Sequence, residues 1–209
     1  MTVCAFLHGA LAKLPRFRHG FDPADISPNG LYFLFEKGEC AHGGARIVRV
    51  GTHTGQNNLP KRLREHLYTP NKDRSVFRKH IGRSLLARRG DPFLATWEID
   101  LTTRQAREKF GHSVDQKRLA DVEREVSEYM NAHFSFAVLQ VEGKEDRLKA
   151  ESGLLSVIAA CDGCRPSAQW LGLHHPKPVI RDKGLWNVLG LDETPMDRDG
   201  LDKLLNSFA

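Results

Sequence analysis

An arginine and a histidine one helical turn apart, Arg62 and His66, carry side chains suited to phosphate chemistry. The segment that begins at Pro60 predicts a helix, because proline is tolerated in a first turn and leucines recur at helical spacing. Those leucines are Leu59, Leu63 and Leu67. At the border of this apolar stripe, a guanidinium and an imidazole together could clamp and protonate a phosphate. The same two residues could equally have structural roles. The arginine would then extend along the apolar surface, and the histidine would form its hydrogen bonds with core partners.

A second helix is predicted at residues 145–160, and Glu151 falls on its apolar side. The apolar residues of that side are Leu148, Leu154, Leu155 and Ile158. An ionised carboxylate is rarely buried without a partner, because removing it from water is costly. We therefore expect either an arginine opposite Glu151, or a divalent cation such as Mg²⁺ that Glu151 binds together with a phosphate.

Two strand-like runs precede these helices, at residues 31–35 and 46–50. The stretch between them, residues 37–44, is rich in turn-forming residues, so the pattern predicts an antiparallel hairpin with a long loop. Because side chains alternate along a strand, Tyr32 points to the opposite face from its two neighbours.

Four short motifs therefore follow one another along the chain. The first two are Gly30-Leu31-Tyr32 and Arg49-Val50-Gly51. The third is Leu59-x-x-Arg62-Leu63-x-x-His66 on a helix, and the fourth is Glu151 on a helix that follows a third strand. In this combination, over about residues 29–160, the chain resembles the GIY-YIG nuclease family. The resemblance implies a small three-stranded antiparallel sheet flanked by helices, and hydrolysis of phosphodiester bonds in DNA with one divalent metal, Mg²⁺ or Mn²⁺.

The resemblance also implies roles for individual residues. By motif position these are Tyr32 as the first tyrosine, Arg62 as the phosphate-binding arginine, His66 as the helix histidine and Glu151 as the metal ligand. Asn187 is similar to a late asparagine found near some of the family's sites, so the resemblance implies that Asn187 contacts the substrate.

Arg49 departs from the family pattern, since it stands where the second tyrosine falls. Arginine stays charged at neutral pH and so cannot carry a proton. It could instead hold the scissile phosphate, or favour the ionised form of Tyr32 through its positive charge. The general base stays open between Tyr32, His66 and His53.

Basic residues are concentrated in one region of the chain. The whole sequence has 31 Lys and Arg against 26 Asp and Glu, a net charge of +5, with a pI near 9.1. Between residues 61 and 89 the basic side chains are opposed only by Glu65 and Asp73. This asymmetry suits contact with a nucleic-acid backbone, and we expect Arg78, Lys79 and His53 to bind DNA. Solvated basic helix faces would give the same composition.

The cysteine pattern is less informative. Cys161-x-x-Cys164, followed by His174 and His175, is a poor match to the usual zinc-site spacings, which favours two thiols in a helix-ending turn over structural zinc. Four cysteines in a chain of 209 residues do not make a disulfide scaffold, so we expect a reducing, cytoplasmic location. No apolar stretch approaches the roughly 20 residues of a membrane helix, so we expect no membrane partner.

The sequence thus predicts an α+β fold with a helical insertion between the second helix region and the third strand. The predicted divisions are an irregular lead-in at residues 1–28, a nuclease-like domain at 29–190 with the insertion at about 76–132, and an acidic segment at 191–209. Within the insertion region and after it, the expected elements are a helix at 76–89, a strand at 95–101, helix at 102–132 broken near Gly111, and a strand at 134–141.

Three functions compete at this point. The leading one is a metal-dependent DNA endonuclease, for which cutting both strands would be easiest as a homodimer. The second is a nucleic-acid-binding module that has lost turnover, and Arg49 is the best sequence argument for it. The third is a zinc-stabilised interaction protein built around Cys161 and Cys164.

Overall fold

A three-stranded antiparallel sheet lies between two layers of helices in residues 1–206, the part of the chain that the computed structural model describes. The strands are β1 Gly30–Ala41, β2 Gly44–Gly51 and β3 Phe134–Gln140, in the order β2-β1-β3. The helices are α1 Val3–Leu11, α2 Leu59–Leu67, α3 Val76–Arg88, α4 Phe93–Trp97, α5 Arg104–Phe110, α6 Gln116–His133, α7 Lys144–Ala159, α8 Pro178–Lys183 and α9 Arg198–Asn206. The predicted α+β class, with a small antiparallel sheet flanked by helices, is confirmed.

The central strand β1 is buried on both faces, and its side chains divide between two cores. Leu31, Phe33 and Phe35 pack with residues of α1, α7 and α9. Tyr32 and Leu34 point the other way, into a core formed with α2, α3 and α6. This alternation follows from the pleat of a strand, and it places Tyr32 on the α2 side, as the sequence pattern predicts.

The connection between β1 and β2 differs from the predicted long loop. The strand β1 continues to Ala41, and the chain reverses through His42 and Gly43, which have φ values of 51° and 79°. Two consecutive positive φ values are typical of the tightest hairpin turns. Polar residues in this stretch suggested a loop, but Glu39 is buried by its ion pair with Arg46, at 2.6 Å.

The predicted strand at residues 95–101 is wrong, because this segment begins within the short helix α4. Trp97 is fully buried there, and its Nε1 donates to the carbonyl oxygen of Lys79 at 3.0 Å. The β-branched and aromatic residues of the segment favour a strand locally, but this one tertiary contact fixes a helical turn. The predicted break near Gly111 is confirmed, since α5 ends at Phe110 and Asp115 caps the start of α6.

Both ends of the described chain pack on the core that contains Leu31 and Phe33. In α1, Leu7 and Leu11 are fully buried, so the first residues are helical rather than irregular. In α9, Leu201 joins the same core. The predicted domain divisions stay a prediction, and residues 207–209 of the acidic segment lie outside the described residues. No helix within residues 1–206 is long and apolar enough to cross a membrane.

Candidate active site

One cavity of about 400 Å³ brings together polar side chains from distant parts of the chain. Its charged and polar walls include Arg49 from β2, Arg62 from α2, His80 from α3, Glu151 from α7 and Asn187 from the segment after α8. Three of the five predicted catalytic residues, Arg49, Arg62 and Glu151, therefore line the same cavity. The other two, Tyr32 and His66, lie beneath it.

Tyr32 and His66 form part of a buried chain of hydrogen bonds. The Tyr32 hydroxyl lies 2.8 Å from Nε2 of His66, and Nδ1 of His66 lies 2.7 Å from the Ser75 hydroxyl. Ser75 is also the N-cap of α3, since its side chain accepts from the Arg78 amide. The chain thus connects β1, α2 and the start of α3. Sequence reasoning missed Ser75, although a serine immediately before a helix is an N-cap signal.

The environment of His66 keeps its imidazole neutral. Burial lowers the pKa of His66 well below 6.5, and the positive charges of Arg62, Arg49 and Arg78 lower it further. A neutral imidazole has one donor and one acceptor nitrogen, so it can satisfy both Tyr32 and Ser75. The side chain is only 1 % exposed. The structure therefore does not support the expectation that His66 protonates a phosphate directly.

Arg49 connects this buried chain to the cavity. Its Nε donates to the Tyr32 hydroxyl oxygen at 3.5 Å, and its Nη1 donates to the Trp186 carbonyl oxygen at 2.8 Å. The guanidinium also lies 5.3 Å from the ring centre of Phe77. Arg49 therefore occupies a fixed position, with a positive charge between Tyr32 and the cavity.

Glu151 lies at the edge of the cavity, half-buried rather than enclosed in the core. The predicted apolar face of α7 is only partly right, because Leu148 is 48 % exposed. Burial raises the pKa of Glu151, while the charges of Arg49 and Arg62 and a backbone hydrogen bond from Thr52 oppose that rise. Within residues 1–206, the Glu151 carboxylate is in no ion pair, so it remains available for a cation.

Arg62 is held at the rim of the cavity by two contacts. Its Nη1 lies 3.2 Å from a carboxylate oxygen of Glu65 and 3.1 Å from the Arg74 carbonyl oxygen. The side chain is 28 % exposed, so the guanidinium can reach both the cavity and a ligand arriving from solvent.

Asn187 has a different role from the predicted substrate contact. Its Oδ1 accepts from the Val50 amide at 3.2 Å, and its Nδ2 donates to the Val50 carbonyl oxygen at 2.8 Å. The side chain thereby pairs with the free edge of β2 as a neighbouring strand would. Since both ends of its amide are engaged, Asn187 holds the strand that carries Arg49.

His80 is a cavity residue that sequence reasoning missed. Its Nδ1 lies 2.9 Å from Nε2 of His175, and its Nε2 is a buried nitrogen without a partner in the described part of the chain. Burial, together with His175 and Arg83, lowers the pKa of His80 to about 2, so this imidazole is neutral. Nothing in the spacing of residues 76–89 distinguishes His80 from the charged residues around it.

The structure places two of the predicted substrate contacts, Arg78 and His53, in buried positions. Arg78 is fully buried against α6, where its Nη2 lies 2.8 Å from the Glu123 carboxylate. His53 is 4 % exposed, and its Nε2 accepts from the Gly30 amide at 3.3 Å. Lys79 is directed away from the cavity, since its Nζ donates to the Glu98 carbonyl oxygen at 3.1 Å.

Two motif glycines are required by close approach of neighbouring groups. A Cβ at Gly51 would lie 2.3 Å from the Tyr32 hydroxyl oxygen, and one at Gly30 would lie 2.3 Å from the Leu139 carbonyl oxygen. A contact that short forces the neighbour to move. Gly51 therefore allows the Tyr32 side chain to pack against β2. Gly30 allows β1 to pair with β3.

The family comparison agrees with this architecture. Residues 9–208 match the family model of the GIY-YIG domain. No curated protein and no solved structure matches the chain. The matched range contains all three strands of the described sheet, together with α2 and α7. The predicted family is therefore confirmed, and the chain belongs to the GIY-YIG domain family.

Proposed function

We propose that this protein is a metal-dependent DNA endonuclease that hydrolyses phosphodiester bonds in the cavity lined by Arg49, Arg62 and Glu151. One observation supports the proposal above all: the guanidinium groups of Arg49 and Arg62 line the same cavity as the Glu151 carboxylate. That carboxylate is in no ion pair within residues 1–206. Membership of the GIY-YIG family supports nuclease chemistry.

The donor set fits a divalent metal that is shared with substrate. Of the cavity-lining residues in the described chain, Glu151 alone has a carboxylate. Mg²⁺ commonly binds through one or two carboxylates and completes its shell with water and phosphate oxygens, and Mn²⁺ accepts the same oxygen ligands. When bound, such an ion supplies a Lewis acid for the phosphate and lowers the pKa of bound water. With one protein ligand, we expect weak metal affinity in the absence of DNA.

Arg62 and Arg49 supply fixed positive charge for the phosphate. Negative charge increases on the phosphate oxygens during in-line attack, and preorganised donors stabilise that charge most effectively in a site that excludes water. Arg62 is oriented by Glu65 and by the Arg74 carbonyl oxygen. Arg49 is oriented by the Trp186 carbonyl oxygen.

Tyr32 and His66 lie on the buried side of Arg49 and fix its position. Tyr32 is 1 % exposed, and its hydroxyl contacts both His66 and Arg49. Their part in this proposal is to position the Arg49 guanidinium. The expectation that Tyr32 or His66 accepts the proton of the attacking water stays a prediction. The expected homodimer also stays a prediction.

A binding module without turnover is the second candidate, and Arg49 favours it. The guanidinium that replaces the family's second tyrosine already has a carbonyl partner. It also cannot carry a proton at neutral pH. The two functions differ in whether bound DNA is cut.

Incubation with supercoiled plasmid and Mg²⁺ tests the proposal. We expect nicked and linear products from the wild type, none with EDTA, and a rate about 10²- to 10³-fold lower for Arg62→Ala. Arg104→Ala, which removes an exposed arginine on α5, is the matched control and should cut at the wild-type rate. DNA binding without any cleavage by the wild type would instead support the binding module.

Only part of the basic stretch at residues 61–89 forms an exposed basic surface in the structure. Lys61, Arg64 and Arg74 surround one surface hollow at α2, and their side chains are in no ion pair within residues 1–206. In contrast, Arg78, Arg83 and Arg89 are paired with acids. We infer that the hollow at Lys61, Arg64 and Arg74 contacts the DNA backbone.

A double variant, Arg64→Ala with Arg74→Ala, measures that contact. Each phosphate contact adds about 0.9 to the slope of log K against log salt, so the slope should become shallower by about 2. Binding of a short labelled duplex is followed by fluorescence anisotropy in EDTA, which prevents cleavage. Lys79→Ala is the control with an expected wild-type slope. A shallower slope for Lys79→Ala and an unchanged slope for the double variant would contradict this assignment.

A further inference from the structure

Two cysteines and two histidines converge at a place away from the catalytic cavity. Cys4 and His8 lie one turn apart on α1, His42 is in the β1–β2 turn, and Cys164 follows α7. One ligand atom from each of the four residues lies within 4.8 Å of the others. Three of the side chains are buried, and His42 covers them from the surface. Side chains from three separate segments thus present four metal-ligand atoms to one point.

Three separations within this cluster are near those of a tetrahedral site. The Sγ atoms of Cys4 and Cys164 are 3.3 Å apart, Nε2 of His42 is 3.4 Å from Sγ of Cys164, and Nε2 of His8 is 3.9 Å from it. Zinc bonds of about 2.3 Å to sulfur and about 2.0 Å to nitrogen give ligand separations of roughly 3.3 to 3.8 Å. Side-chain shifts of a few tenths of an ångström would bring these three separations to the values that zinc requires.

His8 is oriented as a metal ligand usually is. Its Nδ1 lies 2.9 Å from the Cys4 carbonyl oxygen, to which it can donate, and this leaves Nε2, 3.9 Å from Sγ of Cys164, as the nitrogen with a lone pair. Ligating histidines commonly donate their other ring N–H to a backbone carbonyl. The same Nε2 accepts from the Ile47 amide at 3.3 Å, a contact that zinc binding would replace.

His42 has a backbone conformation that only the turn explains. Its φ of 51° lies in the left-handed region, which is uncommon for residues other than glycine, although asparagine, aspartate and histidine adopt it more often than other residues do. That conformation brings its ring centre to 4.9 Å from that of His8. The tight turn, which replaces the loop predicted from sequence, is what brings this imidazole to the two thiols.

We propose that Cys4 Sγ, His8 Nε2, His42 Nε2 and Cys164 Sγ bind a structural zinc ion. A set of two thiolates and two imidazoles is typical of closed, tetrahedral zinc sites, and hard cations such as Mg²⁺ prefer oxygen ligands. The alternative set suggested by the Cys161-x-x-Cys164 spacing is wrong, because His175 pairs with His80. Cys161 lies beside the cluster, with its Sγ 3.4 Å from Nε2 of His42.

The electrostatics of the cluster agree with thiolate ligation. A hydrogen bond from the Cys4 thiol lowers the pKa of Cys164 to about 4, against the effect of burial, and His8 and His42 lower it further. The same hydrogen bond and burial raise the pKa of Cys4. Zinc binds cysteine as the thiolate, so metal binding at this cluster is accompanied by release of thiol protons.

Such an ion would cross-link three segments of the chain. It would connect α1, the β1–β2 turn and the segment after α7, which otherwise meet through apolar contacts. Because the ligands come together only in the folded chain, binding free energy adds to the stability of the fold. This stabilisation is separate from cleavage, since the cluster contains no cavity-lining residue.

Metal analysis of the intact protein tests the site directly. The wild type, purified under reducing conditions without added zinc, should contain one zinc ion per chain when measured by inductively coupled plasma mass spectrometry. Cys4→Ser, Cys164→Ser and His42→Gln should each lose it, whereas Cys40→Ser, at an exposed cysteine of β1, should retain it. A wild type without stoichiometric zinc, or with a Cys4–Cys164 disulfide under these conditions, would overturn the proposal.

Two further measurements keep the test decisive if a variant fails to fold. Cobalt exchanged into the wild type should give the absorption bands of tetrahedral thiolate coordination, and a chelator should lower the wild-type midpoint of thermal unfolding. Absence of both effects would argue against the site. Zinc retained by His8→Gln but lost from Cys161→Ser would overturn the assignment of His8.

Discussion

We expect that replacing Glu151 with glutamine removes the proposed metal-stimulated cleavage while the fold stays intact. The amide keeps the size of the side chain but cannot serve as an anionic metal ligand. Burial already disfavours the charged form of Glu151, so a neutral group at this position does not destabilise the fold. We expect the initial rate of plasmid cleavage at saturating Mg²⁺ to fall by about 10²- to 10³-fold.

The matched control for this variant lies on the same helix. Glu145→Gln removes an exposed carboxylate from the first turn of α7 and should leave the rate unchanged. Far-ultraviolet circular dichroism and the thermal midpoint should be the same for both variants. Wild-type rates and an unaltered metal dependence in Glu151→Gln would mean that cleavage, if present, uses another carboxylate.

Replacing Arg78 with alanine will destabilise the fold rather than only weaken DNA binding. The variant leaves the Glu123 carboxylate, whose side chain is 8 % exposed, without its guanidinium partner. It also removes the hydrogen bond to the Ser127 hydroxyl. Breaking a buried ion pair from one side costs about 3 to 5 kcal/mol. Urea denaturation followed by circular dichroism should show a loss of that size in the free energy of unfolding.

Removal of both charges distinguishes a buried pair from a substrate contact. The double variant Arg78→Leu with Glu123→Leu has no unpaired charge, so we expect it to recover part of the lost stability. Arg74→Ala, at an exposed site, should change the free energy of unfolding by about 0.5 kcal/mol or less. A stable Arg78→Ala protein with weaker, less salt-dependent DNA binding would restore the role first predicted for Arg78.

The parts of the fold that local periodicity determines could be predicted from the sequence. Leu59, Leu63 and Leu67 are all buried on α2, and the alternation around Tyr32 correctly divides β1 between two cores. The tight turn at His42 was not predicted, because the charged residues before it suggested a loop, whereas Glu39 is buried in an ion pair with Arg46. A charged residue in a sequence does not show whether a partner will bury it.

The same limit applies to the site. The resemblance assigned both Tyr32 and His66 to the site, and in the structure they are in hydrogen-bonding contact. Arg78 could not be recognised as structural, because its partner Glu123 lies 45 residues later in the chain. The cluster of Cys4, His8, His42 and Cys164 has no signature spacing, since its members meet only after the sheet and α1 have packed.

The contact between Arg49 and Trp186 also bears on when the cavity can form during synthesis. Their hydrogen bond joins positions separated by 137 residues, and Asn187 pairs with the edge of β2 in the same segment. A nascent chain lacks both contacts until residues 186 and 187 have left the ribosome. The wall of the cavity that contains Arg49 therefore reaches its final position only after these late residues have been synthesised.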